Sequence, residues 1–317
     1  MAQPLLLLDS ASLYYRAYFG VPASMVAPNG MPINAVRGFL DMIGRLVVAR
    51  KPRGVVACWD DDWRPAWRVE AIPTYKTHRV IAENPDASAA AGAALSGWVE
   101  DTPDTLSPQV PIILSALEAL GIPVIGAAHH EADDVIGTLA TREPGPVEIV
   151  TGDRDLFQLV TPDRSVIVLY TAGGVRELIE VDCDWVAQKY GIPGESYADF
   201  ALLRGDSSDG LPGVKGIGEK SAAALLNHYG SVGRAYEVLA ETGKLDGLPP
   251  ATARKLADGM EYVIAAAPVV RVVRDLDVPA LPPLAAPDDE ALELLAEDFG
   301  LRSSIARARD AVGRLMP

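Results

Sequence analysis

The sequence predicts an α/β protein, a doubly wound and mostly parallel sheet followed by a helical subdomain. Three observations predict it. Short continuous apolar runs recur along the first part of the chain, several ending in a carboxylate. Stretches long enough for helices separate them, and strands alternating with helices build a parallel sheet. After about residue 194 the apolar runs stop, while helical segments broken by Gly and Pro continue.

The elements follow in order. Residues 4–8 read as a buried strand delivering Asp9 at its carboxyl end, because a strand covered on both faces needs no alternation. Residues 53–59 repeat the pattern and deliver Asp60; residues 123–125 form a short strand. Residues 147–151 lead into Asp153 and Asp155, and 165–169 make a further strand. Helices are expected near 34–49, 107–120, 131–141 and 184–190. Residues 195–267 read as short helices. A Pro-rich stretch, 279–287, then leads to a last amphipathic helix near 288–297. Residues 80–105 lack periodicity and read as a flexible excursion. The expected division is a catalytic core over 1–194 and a helical subdomain over 195–317, whose final segment packs back on the core.

Composition excludes several classes. Hydrophobic residues are 49% of 317, enough for a large core. No signal peptide is evident and no apolar run approaches ~18 residues, so a cytoplasmic protein without membrane contact is expected. Cys58 and Cys183 are isolated, which fits a reducing compartment and excludes a thiolate zinc site. The formal net charge of −15 opposes nucleic-acid binding until its distribution is read. Residues 80–110 hold five acids and 275–298 hold eight, with no Lys or Arg in either stretch. With those and nine motif carboxylates set aside, the remainder is basic.

Those nine carboxylates lie in four groups: Asp9 with Asp60; Glu131, Asp133 and Asp134; Asp153 and Asp155; Asp206 and Asp209. Each group alone has an ordinary alternative. The Glu131 group could complement a helix N-terminus, Asp153 and Asp155 could be turn and cap residues, and Asp206 and Asp209 could be solvated loop acids. Together the wound sheet brings them to one edge, where ligands sit. So many carboxylates repel and raise each other's pKa values unless cations neutralise them. Oxygen-only ligands select hard ions, Mg²⁺ or Mn²⁺, and two such ions about 4 Å apart suit in-line phosphodiester displacement. The four histidines lack zinc spacing; His129 and His130 beside Glu131 read as surface or supporting residues.

Residues 209–221 carry a helix-hairpin-helix signature. Its glycines let backbone approach a phosphate, and amides at the following helix N-terminus bind the anion without reading base sequence. A hairpin serving only packing is the alternative. Gly213 to Ser221 imitates a P-loop, but Glu219 intervenes between Gly218 and Lys220 and no strand precedes it.

With these motifs assembled, the chain resembles the bacterial 5′-nuclease and flap endonuclease family over nearly its whole length, as a free-standing relative of the 5′-3′ exonuclease domain of DNA polymerase I. The resemblance implies a helical arch on the core and a helix-three-turn-helix in the C-terminal part. It implies a first metal site of Asp9, Asp60, Glu131, Asp133 and Asp134, and a second of Asp153, Asp155, Asp206 and Asp209. Lys76 and Arg79, with Arg16, take catalytic places on the scissile phosphate. Arg68 and the hairpin residues Gly213, Val214, Lys215, Gly216, Ile217, Gly218, Lys220 and Ser221 would bind DNA. A monovalent cation, commonly K⁺, is implied at Val214 to Gly218. Some twenty extra acidic, Ala-rich residues depart from the family at 80–105, which bears on how a 5′ strand threads. The implied activity is two-metal 5′-3′ exonuclease and 5′-flap endonuclease action in replication and repair. A nucleoid-associated monomer is expected, on DNA with 5′ flaps, nicks or single-stranded 5′ ends. A polymerase and a ligase would act on the same substrate. A branched-DNA binder without activity and a toxin-type RNase are the rivals; the full acid set argues against the first and the hairpin against the second.

Overall fold

The computed structural model describes residues 2–83 and 97–316. Its centre is a six-stranded sheet built from β1 (Leu5–Asp9), β2 (Gly54–Cys58), β5 (Val124–Ile125), β6 (Val147–Thr151), β7 (Val166–Tyr170) and β8 (Ile179–Val181). The spatial order is β5-β2-β1-β6-β7-β8, with every pairing parallel except β7 with β8. The doubly wound sheet is as expected; the antiparallel edge strand β8 is an addition. Three residues at an edge are too short to leave a periodic signal.

β1 shows how one apolar run serves two cores. Leu5 and Leu7 face one hydrophobic cluster and Leu6 and Leu8 the other, all at most 3% exposed. The second cluster is closed by α1 (Ser10–Gly20), α2 (Asn34–Arg50), α4 (Val110–Ala119), α12 (Asp289–Phe299) and α13 (Arg302–Gly313). The first is closed by α5 (Ala132–Arg142) and α6 (Cys183–Tyr190). It runs on without a break into α7 (Tyr197–Arg204), α8 (Glu219–Tyr229), α9 (Val232–Thr242), α10 (Pro250–Asp258) and α11 (Met260–Val270).

α1, the six-residue α3 (Ala66–Ala71) and α13 were not expected. α1 follows β1 with no loop at all: Asp9 ends the strand and caps the helix, its Oδ1 accepting from Ser12 N at 3.2 Å. α13 packs on α2, so the chain's last helix completes the layer begun by one of its first.

The expected excursion at 80–105 has structure at both ends. β3 (Val80–Glu83) pairs antiparallel with β4 (Trp98–Glu100), so the stretch leaves and returns as a ribbon. The side chain of Tyr15 fixes the returning strand, bonding Glu100 at 3.1 Å and Thr102 at 2.9 Å. The middle of the expected arch and acidic insert, 84–96, lies outside the described residues. Among the described residues no helix is long and apolar enough to cross a membrane.

Where α7 ends, the chain crosses itself. Gly205 (φ +84°) and Gly213 (φ +72°) stand back to back: a Cβ on Gly213 would lie 2.5 Å from the carbonyl carbon of Arg204. Backbone cannot yield as a flexible side chain can, and the positive φ adds strain. Gly213→Ala should therefore lose roughly 2–4 kcal/mol of stability, read as a lower urea midpoint; an unchanged midpoint would show that the crossing relaxes.

Candidate active site

The carboxyl edge of the sheet gathers acids from five parts of the chain. Asp9 ends β1, and its Oδ2 accepts 2.6 Å from Thr151 Oγ1, tying it to the end of β6. Asp60 follows β2 by two residues and accepts 2.7 Å from Ala132 N, which docks the start of α5 on that strand end. Glu131 and Asp133 sit in the first turn of α5, where its dipole favours negative charge. Asp153 Oδ1 takes the amide of Asp155 at 2.8 Å in the turn after β6. Asp206 and Asp209 lie on the loop after α7, which Asp206 and Leu211 close by exchanging backbone hydrogen bonds.

Burial and mutual repulsion set the electrostatics. Burial pushes Asp9 up to about 6, against the Thr151 hydrogen bond, and the charge of Asp153 adds to the rise. Burial, then the charge of Glu131, pushes Asp60 up to about 7. Asp209 rises to about 6, chiefly by burial and against the pull of Lys76. Asp133 and Asp155 lie well above the usual carboxylate range, through burial and then the charge of Asp153 on each. Each of these acids feels others from different strands, so they form one field.

Glu131 is the exception. Burial would raise its pKa, but Lys76 and Arg68 overrule it and hold it below the usual range. Lys76 Nζ bonds Glu131 Oε2, and Arg68 and the Tyr75 hydroxyl donate to Oε1 at 2.8 and 2.6 Å. Arg68 also grips Asp134 with two bonds of 3.0 and 2.7 Å.

That pair corrects two expectations. Arg68 was expected on DNA and Asp134 in the first metal site. Arg68 is 2% exposed and Asp134 is fully buried, and Asp134 also accepts 2.9 Å from Val273 N. Arg68 divides its charge between Asp134 and Glu131, under α5 and against the extended strap 271–278. A buried arginine cannot reach a phosphate.

The other basic residues lie where a phosphate could meet them. Arg16, Lys76 and Arg79 line a cleft of about 1530 Å³ together with Asp9, Asp60 and Asp133. Arg79 donates to the Ser208 carbonyl at 3.2 Å and lies 3.5 Å from Asp209. Asp206 has Arg154 at 3.5 Å and Arg204 at 3.6 Å. His129 and His130 engage backbone and Trp67 outside the acid field, as their surface reading implied.

The hairpin residues divide by exposure. Gly213, Val214 and Ile217 are buried and serve the crossing and the core; Lys215, Gly216, Gly218 and Lys220 are exposed, and Ser221 is half-buried. Sequence reasoning missed Thr151, Tyr75, Arg154 and Arg204. Thr151 carried a usable signal, a hydroxyl at the end of a buried strand next to a Gly-Asp turn. Tyr75 and Arg154 are paired across more than 50 residues and left none, and Arg204 meets Asp206 only through the turn that follows α7.

The donor set suits hard divalent ions, being carboxylate oxygen throughout. Asp155 Oδ1 is buried with no hydrogen-bond partner, an acceptor that a cation would satisfy. Among the described residues no three acid, His or Cys side chains close around one point as a finished cage. Lys76 and Arg79 stand between the carboxylates instead.

Comparison with known proteins agrees with the fold and gives the family. Residues 4–191 match the family described as 5′-3′ exonuclease, N-terminal resolvase-like domain, and residues 192–288 the one described as 5′-3′ exonuclease, C-terminal SAM fold. A Streptomyces coelicolor 5′-3′ exonuclease is 52% identical over 306 residues, 95% of this chain and 98% of that one. A Mycobacterium tuberculosis 5′-3′ exonuclease is 44% identical, covering 99% of both. A Mycobacterium bovis DNA polymerase I is 40% identical over 72% of this chain but 23% of its own. Among solved structures, the bacteriophage T5 D15 protein co-crystallised with metal ions superposes with a TM-score of 0.62 at 16% identity, covering 99% of both chains. The catalytic core of Rad2 in complex with DNA substrate gives 0.59 at 16%, covering 100% of this chain and 93% of that one. At such identity these two speak to fold alone.

Two predictions follow from the electrostatics. A carboxyl whose pKa is higher folded than unfolded binds protons on folding. For Asp9, Asp60 and Asp209 that contribution is full below about pH 4 and is lost as pH rises through 6 to 7. In EDTA the melting temperature should fall between pH 5 and pH 8, and millimolar Mn²⁺ at pH 8 should recover it; a flat profile indifferent to Mn²⁺ would refute a single acid field. Arg68→Ala should cost about 3–5 kcal/mol, because Asp134 is left buried and uncompensated. A stability loss under 1 kcal/mol with weakened DNA binding would restore Arg68 to the DNA surface.

Proposed function

The chain belongs to the 5′-3′ exonuclease family, and from that premise we propose that it hydrolyses DNA as a structure-specific 5′-3′ exonuclease and 5′-flap endonuclease. One observation carries this reading: carboxylates from both sheet halves and from the loop after α7 share one field beside Lys76 and Arg79, and Asp9, Asp60, Glu131, Asp133 and Asp153 of it line the cleft. The ligand sets are Asp9, Asp60, Glu131 and Asp133 for one ion, and Asp153, Asp155, Asp206 and Asp209 for the other. Bound Mg²⁺ or Mn²⁺ would supply water activation and charge stabilisation at the phosphorus.

The chain's own residues have separable tasks. Thr151 and Ser12 orient Asp9; the Ala132 amide orients Asp60. Arg79 and Arg16 hold a phosphate over the acids and offset its developing charge. Lys76 keeps Glu131 ionised, so the site presents a carboxylate there at any working pH. Residues 1–194 act as the catalytic unit and 195–317 hold the duplex side of a junction through the hairpin. Cutting at a flap base leaves a nick, the substrate of a ligase, after a polymerase has displaced the strand. A cytoplasmic, nucleoid-associated monomer fits this role.

A 5′-labelled flap incubated with Mn²⁺ tests the proposal. Wild type should release the flap, and Asp153→Ala or Asp155→Ala should lose roughly two orders of magnitude or more in rate, as when charge stabilisation is removed from other sites. Their affinity for the flap should change little, since the hairpin binds separately. Cleavage at the wild-type rate in either variant would remove the second ion from the mechanism.

A further inference from the structure

The exposed part of the hairpin has a backbone carbonyl that is met by a lysine. Gly216 sits there at φ +81°, and its oxygen accepts a 2.8 Å hydrogen bond from Lys255 Nζ on α10. The lysine stem covers the face of the glycine: a Cβ on Gly216 would stand 2.9 Å from Lys255 Cε. α10 turns Thr252, Ala253 and Leu256 inward, which leaves Lys255 on its exposed side. Among the described residues no carboxylate reaches salt-bridge distance of it, and the acid of α8's first turn, Glu219, is paired with Arg204 instead. The amides of Gly216 and Gly218 make no backbone hydrogen bond among the described residues, whereas Ile217 N closes the turn onto Val214 O at 2.9 Å. Lys215 and Lys220 flank the same exposed stretch.

We propose that Lys255 is a phosphate-binding residue of the hairpin and serves as a tethered monovalent cation. One ammonium N–H neutralises the Gly216 carbonyl, and the other two are free for an oxygen of a DNA phosphate held at the loop amides. A bare carbonyl facing a phosphate repels it; a cation between them turns the repulsion into a bridge. The hairpin then holds duplex without recruiting a dissolved ion at Val214 to Gly218, the place where a monovalent cation was expected. Because the ammonium is attached to α10, its positioning entropy is met on folding rather than on binding. This inference rests on the reading of the chain as a DNA nuclease.

Duplex and flap affinity, measured by fluorescence anisotropy in Ca²⁺ buffer, tests it at matched K⁺, Na⁺ or tetramethylammonium concentrations. Wild type should bind equally in all three. Lys255→Met should bind roughly tenfold more weakly in tetramethylammonium and recover in part in K⁺, as an ion enters the vacated place. Its slope of log K against log salt should shrink by about 0.9, one phosphate contact. Lys255→Arg should keep most of the affinity, and thermal melting should confirm that all three proteins are folded. Wild-type affinity that drops several-fold from K⁺ to tetramethylammonium would overturn the proposal, as would unchanged affinity and slope in Lys255→Met. If that happens while wild type still cuts flaps, the nuclease reading stands alone; if wild type binds no DNA in any salt, both fall.

Discussion

Everything at the sheet edge depends on how buried like charges are kept from driving one another apart. Burial alone would drive Asp9, Asp60, Asp133, Asp155 and Asp209 to take up protons. Two buried cations, Lys76 and Arg68, meet at one carboxylate, Glu131, and hold that one ionised. The asymmetry matters for function: one permanently charged anchor stands beside a group of acids whose charge is adjustable. Breaking such buried pairs on one side costs far more than the pair contributes as a whole. The constraint therefore extends outward, to Tyr75 and α3 on one side and to the strap at Val273 on the other.

The same constraint explains why Asp133 and Asp134, adjacent in sequence, have opposite fates. In a helix, neighbours point about 100° apart, so only one can face the cleft. Asp133 does, and repels Asp153 and Asp9. Asp134 turns into the core and takes Arg68. The strap 271–278 is laid across α5 at Gly137, where a Cβ would lie 2.7 Å from the Val273 carbonyl oxygen, so a single missing side chain lets the C-terminal part close over the helix.

The strands and the acids at their ends were legible in the sequence because both are local, apolar runs of fixed length followed by a carboxylate; the order of the strands in the sheet was not. β2 came out within a residue of its expected start and end, and β6 without error. The helices that were missed offered weak stripes, mostly Ala and Ser in α13 and few apolar residues in the short α3. α1 is crowded with tyrosines that bond outward to Glu100, Thr102 and Thr105, and α13 is a run of Arg and Ala whose partner lies some 260 residues away. The errors at the site share that cause. Whether Arg68 meets DNA or Asp134 is decided by a contact across 66 residues, and Lys255 finds Gly216 across 39. A motif fixes which residues come near the chemistry; the fold decides which way each one faces.

The packing of α13 on α2 has a kinetic consequence. The core that covers Leu6 and Leu8 joins the first 50 residues and α4 to α12 and α13, the last two elements of the described chain. A chain emerging from the ribosome can wind the sheet and the α5 face early, but the α2 face, covered in part by α1 and α4, stays open on its remaining side until α13 is made. Contacts so distant in sequence form late and slow the final step. Until then a greasy layer made of α2 and the β1 strand is exposed, in the state most prone to aggregate. The active-site edge, by contrast, is assembled from β1, β2, β6, the start of α5 and the loop after α7, all complete by residue 209. The chemistry of this protein is in place before its fold is sealed.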